Sequence, residues 1–333
     1  MLAAVEVIPT NESFLIDTFC GASETFPTNS IDIDFVKGKK KMSPFVSKYV
    51  NGIQVERNVV ATKNYEPPKI QPSRPITVET LEQRLAGEAL YSNKTPAQRA
   101  AEILAKDLRE LKDMNHRRKE WMIAQSLFNG KFVAHVHSDK DNTVEETFDY
   151  GHTFETSVAK KWTAADSDPL ADLLAESNKI AASCGKRPTI VVMNDVTAEA
   201  FLNNEKVQAV FDKWNINLGT IQPSVKSEQV QYIGKLLRPN VEVYTYAESY
   251  VDDEGELHTF VPDGKVLIAC TNIFSFKYAS HTQMEKGEFK TYMGEDIPKY
   301  DAVDADNAAK LTLTSKPVPV PFDVDSWATL DVL

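Results

Sequence analysis

Three features of the chain predict an α+β fold. The first is a continuous helical pattern over Pro96–Asn129. The second is a strand-rich excursion just ahead of it, around residues 30–76. The third is a middle third in which helical patterns alternate with short, uninterrupted apolar runs.

The helix has clear ends. Thr95 suits the cap, Pro96 the first helical position, and Gln98 completes a capping box; Gly130 closes the C-terminal end. At 1.5 Å per residue the rod is roughly 50 Å long, about three times the usual helix. Leu104, Leu108, Leu111, Met114, Trp121 and Phe128 trace one narrow stripe. Glu102 with Lys106 and Asp113 with Arg117 have the i,i+4 spacing of exposed ion pairs. A narrow stripe on so long a helix predicts that much of it is solvated or touches other chains.

The excursion alternates from Ile31, with Ile33 and Phe35 on one face and Asp32 and Asp34 on the other. Residues 44–50 lead to Asn51-Gly52, a strong hairpin signal. Pro67, Pro68, Pro72 and Pro75 keep the returning leg extended. Length and lysine content predict a protruding two-stranded arm. Residues 1–29 show little periodicity and are expected to form an extended arm. Residues 78–86 read as a short helix.

Strands are predicted at 131–138 and 145–150, a helix at 169–184 opened by Asp168-Pro169 and closed by Gly185, and a buried strand at 189–193. Residues 197–211 and 225–234 read as helices. Residues 241–250 and 257–261 flank a long turn at Asp252-Asp253-Glu254-Gly255, and 266–270 is a second buried strand. Pro317, Pro319 and Pro321 fall at every second position. They strip donors from one side of a strand only, which predicts an edge strand.

The chain has 333 residues, 42% hydrophobic and 26% charged, a balance that supports a folded protein of one or two domains. No apolar run approaches the length of a bilayer span. The first residues lack the basic start of a signal peptide, so cytosolic synthesis is expected. Cys20, Cys184 and Cys270 are odd in number and far apart, with neither a disulfide framework nor a metal spacing. The net charge of -11 argues against a protein that grips nucleic acid through its phosphates.

Catalytic signals are thin. Phosphate-cradling loops, dinucleotide fingerprints, zinc-protease and serine-hydrolase motifs are all missing. His135 and His137 share a strand face, with Asp139 and Asp141 beyond, which admits a metal-dependent hydrolase as an alternative. A solvated strand end is the plainer reading. The pairs Asp166/Asp168, Asp252/Asp253 and Asp323/Asp325 stand at helix starts or turns, where capping explains them. Basic residues Lys37, Lys39, Lys40, Lys41, Arg57 and Lys63 in the arm, and Arg117, Arg118 and Lys119 on the helix, are read as inter-subunit contacts. On an acidic protein, such cations complement a second copy.

An ordered run of motifs resembles a known family. It comprises Gly87-Glu88, Pro96-Ala97-Gln98-Arg99, Arg118-Lys119-Glu120-Trp121, Ala124-Gln125-Ser126-Leu127-Phe128-Asn129-Gly130-Lys131 and Phe148-Asp149-Tyr150-Gly151. It continues through Trp162, Asp168-Pro169-Leu170-Ala171-Asp172-Leu173, Phe260-Val261-Pro262-Asp263-Gly264 and residues 321–333. In order and spacing this run resembles the lambda-type major head proteins of tailed phages, over about residues 30–333. The resemblance implies the Hong Kong 97-type capsid fold. It divides the chain into an N-terminal arm (1–29), an extended loop (30–76), a peripheral domain (77–165) with the spine helix at 96–129, an axial domain (166–300) and a return to the peripheral domain (301–333).

It also implies a major capsid protein that assembles as hexamers and pentamers into an icosahedral head shell around double-stranded DNA, with no enzyme activity and no cofactor. Its partners would be further copies of itself, a scaffold, a portal and a decoration protein. Its place would be the virion, with assembly in the host cytoplasm. A second use of the same fold, an encapsulin-like cargo compartment, is the alternative shell reading.

Overall fold

The structure, a computed structural model, describes residues 13–37, 59–83, 94–137, 143–213, 224–225, 229–252, 255–285, 287–303 and 308–333. The chain opens with helix α1 (Phe14–Phe19), then strand β1 (Glu24–Phe26). Leu15 and Phe19, four residues apart, put one face of α1 into the core. The described part of the segment expected to be an extended arm is thus a docked helix and strand.

Strands β2 (Ile31–Lys37) and β3 (Val59–Tyr65) pair antiparallel, with Ile31 opposite Tyr65 and Lys37 opposite Val59. Ile31 and Ile33 are buried and Asp32 is exposed, as their alternation requires. Asn51-Gly52, Lys39, Lys40, Lys41 and Arg57 lie outside the described residues, and Lys37 is described only by its backbone. Strand β4 (Ser73–Thr77) runs into helix α2 (Val78–Glu82), which ends at an extended Gln83, short of the predicted 86.

Helix α3 (Pro96–Asn129) has the predicted ends. The Gln98 amide donates to Thr95 Oγ1 at 3.3 Å, and the Thr95 amide donates to Gln98 Oε1 at 3.0 Å. Gly130 has φ 65° and lies against His152, which a Cβ would meet at 2.9 Å; both facts require glycine there.

Strands β5 (Lys131–His137) and β6 (Thr143–Asp149) form a hairpin. Next come β7 (Glu155–Ser157), helix α4 (Pro169–Ser183), β8 (Ile190–Met193), α5 (Asp195–Leu202) and α6 (Glu205–Lys213). The single helix predicted over 197–211 is therefore two. Asn203 ends the first, and the Asn204 side chain accepts the Lys206 amide and donates to Ser167 Oγ. These local bonds compete with the helix ladder and break it.

Strands β9 (Ser224–Val225), β10 (Val230–Leu236) and β11 (Val241–Tyr246) follow. The helix predicted at 225–234 is overturned, because pairing with β11 decides the conformation. A register shift between Tyr232 and Gly234 interrupts the alternation that would have marked a strand. The stretch 241–250 is split between β11 and β12 (Ser249–Val251), which pairs with β13 (Leu257–Thr259).

The remainder is β14 (Lys265–Ala269), β15 (Phe274–Ala279), β16 (His281–Glu285), β17 (Glu288–Tyr292), β18 (Ile297–Val303), β19 (Ala308–Thr314), β20 (Pro317–Pro321) and β21 (Trp327–Asp331). Among the described residues β20 pairs with β15 alone and is the edge strand its prolines predict.

A seven-stranded sheet, in the order β7-β21-β14-β8-β11-β10-β9, organises the core. Its residues alternate between two apolar clusters. Ile190, Val192, Leu267, Tyr246 and Trp327 face Met122, Ile123, Leu127 and Phe128 of α3. Val191, Met193, Val266, Ile268 and Leu330 face Leu173, Ile180, Phe201 and Val207 of α4 to α6. Covered on both faces, the central strand β8 is apolar at every position. The return of 301–333 is divided. β18 and β19 join β4 beside α3, whereas β21 is inserted in the seven-stranded sheet.

Candidate assembly surfaces

The two halves of α3 live in different surroundings. In the first half Leu104, Leu108 and Leu111 meet Leu311 and Leu313, Asp107 is buried beside them, and the remaining surface is exposed or half-exposed. Arg74 reaches Asp107 at 2.8 Å and also pairs with Glu110. Lys94, not a residue of the helix itself, supplies a cation to Glu102 at 2.7 Å, and Lys106 lies 3.8 Å from Glu110. Met114, predicted in the apolar stripe, is exposed.

From Asn115 onward the helix is buried almost all round. Glu120 is fully buried and accepts the Leu15 and Ile16 amides, at 2.8 and 3.0 Å, and the Tyr246 hydroxyl at 3.1 Å. It thereby satisfies free amides in the first turn of α1. Burial pushes its carboxyl up to about 8, against the three hydrogen bonds. At the other end, the Trp327 indole and the Thr329 hydroxyl donate to the Leu127 carbonyl, each at 3.1 Å, so β21 clamps the last turn of α3.

Of the helix cations read as contacts, Lys119 is corrected. It is buried, 3.7 Å from Asp296 and 4.9 Å from the centre of the Tyr278 ring, inside its own subunit. Arg118 stands over Trp121 at 5.4 Å, and Arg117 is half-buried. In the arm, Lys63 Nζ donates to the Asp149 carbonyl at 3.0 Å, and Tyr65 Oη donates to the same oxygen at 2.9 Å. Tyr65 also stacks on Phe148, and Phe148 on Phe132. Lys63 therefore helps fasten the foot of β2–β3 to its own subunit.

The described residues among those read for chemistry make structural contacts. His135 is exposed with Nδ1 3.6 Å from Glu145; the His137 side chain, Asp139 and Asp141 lie outside the described residues. Asp168 caps α4 through the Ala171 amide, and Asp166 pairs with Lys160. Asp323 accepts the Asp325 amide in a turn. Asp252, Glu256 and His258 converge within 4.8 Å at the turn between β12 and β13, where Asp252 accepts the Glu256 amide.

Two hairpins carry apolar residues on an outward face; the one about residues 252–255 was expected as a hairpin, and the other, β16–β17, sequence reasoning missed. In β16–β17, Met284 is opposite Phe289 and Thr282 opposite Thr291, so these four share one face. That face looks outward, with Met284 50% and Phe289 79% exposed, and Met293 continues it. The inner face carries the polar residues: Gln283 is buried and, like the Tyr292 hydroxyl, donates to Glu285. In β12–β13, Val251 is opposite Leu257, 63% and 71% exposed, while Tyr250 turns inward to accept the Trp121 indole at 3.1 Å. The readable signal was the alternation of 282–284 and 289–293 around Gly287.

A protein whose apolar strand faces look outward is built to be covered. The sequence profile described as "Phage major capsid protein E" matches residues 1–332. The chain belongs to this family. It is a major capsid protein of a phage head shell and a virion component; the family is structural, not enzymatic, and its members self-assemble. Among relatives, the major capsid protein of Enterobacteria phage P21 is 20% identical over 327 residues, covering 96% of this chain and 94% of its own.

Among solved structures, one assigned to a prophage capsid protein of Escherichia coli CFT073 superposes with a TM-score of 0.68 at 18% identity, covering 96% of this chain and 92% of that one. The capsid of Myoviridae phage XM1 gives 0.51 at 9% identity, covering 100% and 96%. At such identities these likenesses speak for the fold, which is the Hong Kong 97-type capsid fold.

Proposed function

We propose that this capsid subunit closes its shell, as hexamers and pentamers, through surfaces that are apolar or cationic in the lone chain. The observation that carries this reading is the outward Met284–Phe289 face, matched by Val251–Leu257. Such cross-strand pairs gain nothing from water, and burying them against another copy supplies a driving force for association. The arm at 30–76 straps a neighbour in this scheme, with Lys37, Lys39, Lys40, Lys41 and Arg57 toward the acidic surface of the next copy. Arg117 and Arg118 serve a similar contact on α3.

Residues 77–165 with β18 and β19 form a peripheral body, and the middle third an axial one. A scaffold, a portal and a decoration protein complete the particle, and double-stranded DNA is enclosed without specific contacts, as the charge of -11 favours. The head-shell function leaves the cargo-compartment alternative without an observation of its own.

The test is the double substitution Met284→Asp with Phe289→Asp. The purified subunit keeps the wild-type circular dichroism and denaturation midpoint but yields no closed shells by electron microscopy. Normal shells from this variant overturn the role of the hairpin.

A further inference from the structure

Two cysteines far apart in sequence meet in the fold. Cys184 is the C-terminal cap of α4, and Gly185 after it turns the chain back with φ 77°. The Cys184 sulfur accepts the Lys186 amide at 3.3 Å and lies 3.4 Å from the Lys186 carbonyl. Cys270 follows directly on β14, and its thiol reaches the carbonyl of the next residue, Arg187, at 3.5 Å. Both sulfurs are thus fastened to one short turn, at the carbonyls of adjacent residues. Cys20, the third cysteine, stands apart between α1 and β1.

We infer that Cys184 and Cys270 form a redox-dependent disulfide, open in the reducing host cytoplasm and closed in the released particle. The inference rests on the chain being a virion component, which meets both environments. Disulfides persist outside the cell and are kept reduced in the cytosol. The bond would tie the end of the covering helix α4 to a central strand of the seven-stranded sheet. It would close a long loop, between residues 184 and 270, and so remove much of the freedom of the unfolded chain. A subunit still assembling would keep both thiols and their mobility.

The exchange is balanced with a glutathione disulfide as oxidant. The Cys184 thiolate, on the more accessible residue, attacks one glutathione sulfur. The S–S bond of glutathione breaks, one glutathione leaves as a thiol, and Cys184 carries the other. Cys270 loses its proton and attacks the Cys184 sulfur, expelling the second glutathione. Two protein thiols are oxidised and one glutathione disulfide is reduced to two thiols. Burial pushes the Cys270 thiol up to about 11, so the second step is the slow one and quickens as pH rises.

The test uses the full chain, reduced and then held in glutathione redox buffers without denaturant, followed by alkylation and non-reducing peptide mapping. The expected product is a single peptide pair joining Cys184 to Cys270, with Cys20 still a thiol. The melting temperature of the oxidised chain rises by several degrees over the reduced one, and Cys184→Ser loses both the pair and the rise. Peptide mapping of the wild type decides the matter even if a variant folds poorly. A product that stops at the Cys184–glutathione adduct overturns the inference. So does a bond to Cys20, a bond between chains, or three thiols that stay free.

Discussion

The seven-stranded sheet and the two outlying hairpins obey the same alternation and dispose of it in opposite ways. β8 is apolar throughout and β14 from Val266 onward, because α3 covers one face and α4 to α6 the other. In β16–β17 Gln283 is buried while Met284 and Phe289 face outward, and in β12–β13 Val251 and Leu257 face outward while Tyr250 packs on the core. A lone folded domain has no reason to build the second arrangement. The contrast separates what stabilises the subunit from what joins subunits.

The largest effect that tests this contrast lies in the sheet. Leu267→Ala removes a fully buried side chain from the α3 side and lowers the unfolding free energy by about 2–5 kcal/mol in urea titrations. A loss below about 1 kcal/mol would show that the sheet is not the centre of stability.

Next comes the anchor of α1. The folded-state value of Glu120, about 8, is above its ordinary 4.5, so the native chain binds the extra proton between these limits. Its contribution to stability is complete below about pH 4.5 and is lost as pH rises through about 8, by about 5 kcal/mol. Urea titrations across this range should show the decline in wild type and a flatter profile in Glu120→Gln. That variant also loses about 1 kcal/mol throughout, from an amide left without its acceptor. Equal slopes would remove Glu120 from the account.

The smallest effect on the subunit belongs to the second hairpin. Val251→Ser with Leu257→Ser shifts its stability by no more than about 0.5 kcal/mol, since both side chains are already in water. Its shells, by contrast, dissociate at lower denaturant in light-scattering measurements. A destabilised subunit with intact shells would reverse the reading of that hairpin.

Much of the architecture was legible. Thr95, Gln98 and Gly130 marked both ends of α3, because caps answer to local hydrogen bonds and to a left-handed backbone. The prolines of β20 announced an edge strand through their missing donors. Other parts were not. The segment 225–234 read as helix because its bulge hid the alternation. Lys119 read as a surface cation, since nothing near it in sequence announces Asp296 or Tyr278. Of the assembly surfaces, the basic arm was visible as composition and β12–β13 as a hairpin, whereas the outward apolar faces and β16–β17 passed unnoticed.

By itself, the sequence determined the periods and the punctuation: a long capped helix, strands with an apolar face, a one-sided edge, and an acidic surface. These depend on neighbours within a few residues. Only the tertiary structure decided which apolar faces are covered, which cations are spent inside the subunit, and that Cys184 and Cys270 share a turn. Periodicity records that a strand has two faces. What lies against each face is a matter of distant contacts, and for the outlying hairpins we assign those contacts to another copy of the chain.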